Sequence, residues 1–123
     1  MDLAHTAICV SDLDRTMDFY EALGFEETNR FTLDGVENVY LGRDGDGDLQ
    51  LRHDPDRTTP VAPNRADVDH IAFTVDDVAE TFETAIYAGA APVLEPTEVD
   101  AADAFAAFVE DPEGYTLEFY HWL

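Results

Sequence analysis

Residues 3–10 form a mainly apolar, β-rich run interrupted by His5 and Thr6, which predicts a strand. The spacing then becomes mainly helical: Leu13, Met17, Phe19, Tyr20 and Leu23 fall within residues 12–23, with Ser11 or Asp12 placed to cap the helix and Gly24 to end it. Residues 25–33 and 36–42 read as strands joined by Asp34-Gly35, a pair suited to a two-residue hairpin. A turn over residues 43–48 leads to a short strand over 49–53, giving the order β-α-β-β-β. Residues 54–67, with Pro55, Pro60 and Pro63, read as a linker. The order then repeats: a strand over 68–75, a helix over 77–88 stopped by Gly89 and a strand around 92–96. An acidic, alanine-rich loop follows, then a strand over 105–110, a turn over 111–114 and a last strand over 115–122.

The recurrence extends to individual residues. One constant offset of 65 aligns His5 with His70, Ala7 with Ala72, Val10 with Val75, Asp12 with Asp77, Thr16 with Thr81 and Gly24 with Gly89. Polar matches at one offset without a gap indicate two copies of a supersecondary unit. The expected organisation is a single α+β domain over residues 1–123, with module one about 1–53, a linker about 54–67 and module two about 68–123.

Composition narrows the setting. A chain of 123 residues that is 46% hydrophobic can bury one core but has no room for separate catalytic and cofactor domains. No apolar run reaches the roughly 18 residues of a membrane helix, and Met1-Asp2-Leu3 opens no basic-then-apolar leader, so a cytoplasmic protein is expected. Cys9 is the only cysteine, which rules out an intrachain disulfide. Asp and Glu number 28 against six basic residues, all arginine, for a formal charge of −22. Such a field repels phosphate backbones and argues against nucleic acid as a partner. Acidity spread along the whole chain, with no lysine, points to a halophilic protein whose self-repulsion is screened by salt.

Four residues stand out as candidate chemistry. The closing strands carry Leu49-Gln50-Leu51 and Leu117-Glu118-Phe119, each with one polar side chain turned to the face opposite its apolar neighbours. His5 and His70 sit at matching places on the opening strands. If each sheet curves into a half-barrel, His5, Gln50, His70 and Glu118 converge. Imidazole nitrogens with carboxylate and amide oxygens suit a divalent metal: Zn, Ni, Co, Fe or Mn. The ordinary reading of any one of them is a satisfied or solvated strand residue; it is the repeat-related pairing that singles them out. Asp44–Asp48 lacks the spacing and terminal Glu of a calcium loop and reads as a solvated turn. His53 and His121, near strand ends, read as surface residues, with a supporting role at the site as the other possibility.

The stretches HTAICVSDLDRTMDFYEALGF, DLQL, VDHIAFTVDD and FVEDPEGYTLEFY resemble the vicinal oxygen chelate superfamily (glyoxalase, bleomycin resistance protein and dioxygenase), most closely glyoxalase I. The resemblance implies paired βαβββ modules in a half-open barrel around a metal, with ligands His5, Gln50, His70 and Glu118. It also implies a homodimer with the site at its interface. The implied reaction is proton transfer through a metal-stabilised enediolate on the hemithioacetal of a 2-oxoaldehyde, with Glu118 as the base and a thiol as cosubstrate.

Two departures matter. Bacterial glyoxalases usually carry glutamate where Gln50 stands, and the set His, Gln, His, Glu also resembles methylmalonyl-CoA epimerase, which needs a second base; Asp34 and Glu37 are its candidates. Cys9 stands where glyoxalases place an arginine for a glutathione carboxylate, and none of Arg15, Arg30, Arg43, Arg52, Arg57 and Arg65 is clearly equivalent, so the thiol stays open. Cys9 itself reads as a small buried hydrophobe. An iron-dependent ring-cleaving dioxygenase using His5, His70 and Glu118, or a metal-free binding protein of the bleomycin-resistance kind, are the remaining alternatives.

Overall fold

The structure, a computed structural model, describes residues 1–43, 47–63 and 67–123. These divide into two compact units, Met1–Val61 and Ala62–Leu123. Each is one βαβββ module, as the sequence pattern predicts.

Module one contains β1 (Thr6–Cys9), α1 (Leu13–Ala22), β2 (Glu26–Leu33), β3 (Val36–Gly42) and β4 (Leu49–His53). Its sheet has the order β1-β4-β3-β2, with β1 parallel to β4 and the other neighbours antiparallel. Asp12 caps α1, its Oδ1 accepting from the Arg15 N–H at 3.0 Å. Gly24, at φ +96°, lets the chain leave the helix. The hairpin turns on Asp34 and Gly35, both at positive φ, as the Asp-Gly pair predicts. Part of the turn expected over 43–48 lies outside the described residues.

Module two contains β5 (Ile71–Thr74), α2 (Val78–Tyr87), β6 (Ala91–Val99), one turn of 3₁₀-helix (Asp100–Ala102), β7 (Ala104–Glu110) and β8 (Thr116–Trp122). The sheet order β5-β8-β7-β6 repeats that of module one. Asp77 caps α2 through the Glu80 N–H at 3.0 Å, and α2 packs on β6, β7 and β8. In the turn after β7, Asp111 Oδ1 accepts from the Glu113 and Tyr115 N–H groups, each at 2.9 Å.

Three boundaries differ from the sequence pattern. The opening strands are shorter than residues 3–10 and 68–75, so His5 and His70 each precede the first paired residue. β6 runs on to Val99, past 96, and takes up the first residues of the expected loop. It tolerates Pro92 and Pro96 because it is an edge strand with register shifts between Pro92 and Leu94 and between Leu94 and Thr97.

Each sheet has two unlike faces. In module one, Ile8, Leu51 and Val39 align across the strands, as do Leu49 and Leu41, and all are buried. Burying a side chain of this size contributes about 1.5–3 kcal/mol. The opposite face carries Ala7, Gln50 and Tyr40 in one rung and Cys9, Arg52 and Asn38 in the next. Module two repeats the division, with Ile71, Leu117 and Val109 on one face and Ala72, Glu118 and Phe108 on the other. The apolar alternation thus sets which face is core and turns Gln50 and Glu118 away from it.

Candidate functional site

Each module presents a candidate half-site on its polar face, built from the residue before the first strand and the middle of the last. In module two, His70 Nε2 lies 3.2 Å from Glu118 Oε1, while Nδ1 lies 2.7 Å from Asp69 Oδ2. An ionised carboxylate only accepts hydrogen bonds, so Asp69 assigns the Nδ1 proton and aims Nε2 at Glu118. A ring nitrogen facing a carboxylate oxygen calls for positive charge between them. Two ligands each about 2.0–2.2 Å from one ion stand about 3.0–3.4 Å apart, and 3.2 Å falls in that span. Both side chains are partly accessible, at 30% for His70 and 21% for Glu118. Phe108, paired with Glu118, holds the imidazole edge-on with ring centroids 5.3 Å apart.

Module one reproduces the frame with different chemistry. His5 stands edge-on to Tyr40, centroids 5.2 Å apart, and Tyr40 pairs with Gln50. Gln50 is 8% exposed, and its amide orientation follows from its neighbours. Asn38 Nδ2 donates to the Val36 carbonyl at 3.0 Å, which leaves Asn38 Oδ1 as the acceptor. That oxygen takes Gln50 Nε2 at 2.8 Å and Arg52 Nε at 3.3 Å. The nitrogen of Gln50 is therefore committed, and Oε1 is the atom able to ligate.

Within module two the structure brings His70 and Glu118 together; within module one it sets His5 and Gln50 on one face around Tyr40. Among the described residues, no group of three or more His, Cys, Asp or Glu side chains is gathered to hold a metal. The donors on these faces, two imidazoles, a carboxylate and an amide oxygen, fit a borderline divalent cation.

The structure moves other candidates off these faces. Glu37 lies on the core-side face of β3, where Oε1 meets His53 Nδ1 at 3.1 Å and Oε2 stands 3.8 Å from Arg30. Strand alternation turns it to the face opposite Gln50. Asp34 is taken up in the hairpin turn at φ +52°. His121 stacks on Phe105, centroids 5.7 Å apart, on the face opposite Glu118. Sequence reasoning missed Asp69 and Asn38. The first had a signal in the Asp-His dipeptide; the second depends on strand register and had none.

A family model described as the Glyoxalase/Bleomycin resistance protein/Dioxygenase superfamily matches residues 2–119. The lactoylglutathione lyase of Neisseria meningitidis is 33% identical over 130 residues, covering 97% of this chain and 89% of that protein. The lactoylglutathione lyase of Haemophilus influenzae is 32% identical over 125 residues, covering 97% and 91%. Among solved structures, the trypanothione-dependent glyoxalase I of Leishmania major superposes with a TM-score of 0.79 at 30% identity, over 97% of this chain and 85% of that one.

Proposed function

The chain belongs to the glyoxalase/bleomycin resistance protein/dioxygenase superfamily, and on that premise we propose that it is a metal-dependent lyase or isomerase of the glyoxalase I type. Its substrate is the hemithioacetal formed by a 2-oxoaldehyde and a thiol, and His5, Gln50, His70 and Glu118 are the ligands of one divalent ion. The observation that carries the reading is the His70–Glu118 approach at 3.2 Å, with Asp69 on the far ring nitrogen. Lyases at 32–33% identity across nearly the whole chain support the reaction class.

When bound, such an ion acts as a Lewis acid toward neighbouring substrate oxygens. The remaining work belongs to the chain. His70, aimed by Asp69, supplies a fixed nitrogen. Gln50 supplies a neutral oxygen and cannot accept the substrate proton. Glu118 can: its carboxylate takes the proton from one carbon and returns it to the next, and Ala106 and Tyr120 in the adjoining rung leave it unclamped by any amide. Assembly as a homodimer, with each site drawing on both subunits, completes the proposal.

The test is metal content of protein purified in high salt, then metal removal and stoichiometric return of Ni²⁺, Zn²⁺, Co²⁺, Mn²⁺ or Fe²⁺. Each form is assayed with methylglyoxal and a panel of thiols. The expected result is about one ion per site and thiol-dependent turnover restored by the metal. Stoichiometric metal with no turnover on any thiol adduct would remove the lyase reading.

A further inference from the structure

The two candidate half-sites differ in what they can do with a proton, and the difference bears on the handedness of the substrate. In module one, the rung of Gln50 and the next carry Ala7, Tyr40, Cys9, Arg52 and Asn38 on the polar face, with Asn29 and Phe31 beyond them on β2. None of these described residues is a carboxylate. Gln50 is buried, and Asn38 Oδ1 holds its nitrogen at 2.8 Å, so the amide is fixed in place; an amide takes up no proton near neutral pH. Asp48 precedes β4, exposed, one rung the other way and about 7 Å along the strand. Its side chain is a methylene shorter than that of Gln50 and does not span the interval. Glu37 meets His53 on the opposite face. In module two, by contrast, Glu118 faces His70 at 3.2 Å. Glu110 shares that face but pairs with Thr116, a rung away.

We infer that the protein consumes one of the two mirror-image forms of its hemithioacetal and leaves the other. The inference rests on the lyase reading and specifies the configuration of its substrate. The carbon that comes from the aldehyde, C1, carries hydrogen, hydroxyl, sulfur and the carbonyl carbon C2, so it is stereogenic. An achiral thiol adding to a 2-oxoaldehyde makes both forms in equal amounts. In the isomerisation the C1–H bond breaks and its proton passes to Glu118. The electron pair forms a C1=C2 double bond while the carbonyl π pair moves to O2. Glu118 then returns the proton to C2, and the hydroxyl proton passes from O1 to O2 as C1 becomes the thioester carbonyl. C1 is oxidised and C2 reduced within one molecule, so no co-reactant is needed. The sequence requires hydrogen on the side of C1 that faces Glu118. With the two oxygens held in the same places, the mirror form exchanges hydrogen with sulfur, and its hydrogen faces away. The half-site of module one contributes an amide, not a second proton acceptor. Loss of a general base slows a reaction about 10²–10⁴-fold, which sets the expected discrimination between the two forms.

The experiment adds concentrated metal-loaded protein to the preformed hemithioacetal of methylglyoxal and an achiral thiol, 2-mercaptoethanol or 3-mercaptopropionate, and follows thioester formation. In wild type, half of the adduct is expected to react rapidly. The rest follows at the rate of its spontaneous dissociation and re-addition, unchanged when the protein is doubled. Gln50→Glu, which places a carboxylate on module one, is expected to consume the whole adduct in one phase. A single rapid phase in wild type overturns the inference, and a pause that appears in Asp48→Asn would then assign the second base to Asp48. A second arm does not depend on turnover. Acetonyl 2-hydroxyethyl thioether has two hydrogens on the carbon between sulfur and ketone. It is incubated with metal-loaded protein in D₂O and followed by proton NMR. Accumulation of the singly deuterated CHD species without CD₂ upholds a one-sided base even if no hemithioacetal turns over, a result that removes the lyase reading alone. Protein-dependent progression to CD₂ in wild type overturns the inference, and neither exchange nor turnover overturns both.

Discussion

The two half-sites share a backbone frame and differ in almost every group that moves charge. Each sets a histidine edge-on against an aromatic ring, Tyr40 in one and Phe108 in the other, beside the central polar residue of the last strand. In module one the next rung supplies Asn38 and Arg52, so Gln50 is held by a bonded amide network. In module two the same rung carries Ala106 and Tyr120, and Glu118 faces His70. One copy of the repeat is built to hold a neutral oxygen still; the other leaves a carboxylate able to move. The duplication gave two equal positions, and the neighbours, not the fold, divide the labour between them.

Exchanging the two polar residues should break this comparison most visibly. Glu118→Gln removes the proposed base and is expected to lower kcat by about 10²–10⁴-fold, the range for loss of a general base. Gln50→Glu leaves that base in place, and activity should stay within about tenfold. Its cost appears elsewhere, because a carboxylate cannot donate to Asn38 Oδ1. Two acceptors then face one another in a buried place, which costs about 1–3 kcal/mol. Steady-state rates with metal-loaded protein and thermal melting of both variants decide the matter. Similar rate losses at both positions would mean that the half-sites are functionally equivalent.

Charge divides the modules differently. Residues 1–61 hold fourteen acids and five arginines, a formal −9, whereas residues 62–123 hold fourteen acids and one arginine, a formal −13. Together these make the −22 of the chain. Repulsion among exposed acids acts over about 10 Å at 0.1 M salt and about 3 Å at 1 M, so removing salt should loosen module two first. Hydrogen exchange at 2 M and 0.1 M KCl is expected to show amides of β7 and β8 losing protection before those of β3 and β4. The reverse order would mean that packing, rather than charge, sets the local stability of the two modules. It would also weaken the halophilic reading drawn from composition.

Much of the fold is legible in the amino-acid order alone. The apolar alternation that buries Leu49 and Leu51 also turns Gln50 outward, and caps at Asp12 and Asp77 are local signals that no tertiary contact overrides. The ends of strands are less legible, because His5 and His70 lie beyond the last rung and only pairing partners define that limit. The Asn38–Gln50 bond links residues on neighbouring strands, and its existence depends on a register that residue order does not reveal. Glu37 shows the same limit from the other side. It is polar, near the right strand and on the wrong face, because a shift of one residue reverses direction.

The smallest effect concerns how module one offsets its acids. On the exposed strand β2, Arg30 bonds Glu27, and the guanidinium holds the Glu27 carboxyl below its ordinary 4.5, with the hydrogen bond as the larger cause. The ion pair raises the arginine in turn. A carboxyl whose folded pKa is depressed adds stability above its unfolded value and loses that stability as pH falls through the folded one. Both side chains are about two-fifths exposed, so the contribution is at most about 0.5 kcal/mol and shrinks with salt. Glu27→Gln is therefore expected to destabilise by that amount at pH 6 and 0.1 M KCl, with the difference vanishing in acid below the ordinary carboxylate range. Denaturant melts at both pH values measure it. A difference that persists unchanged in acid would assign the effect to packing, and module one's smaller net charge would then rest on its arginine count alone.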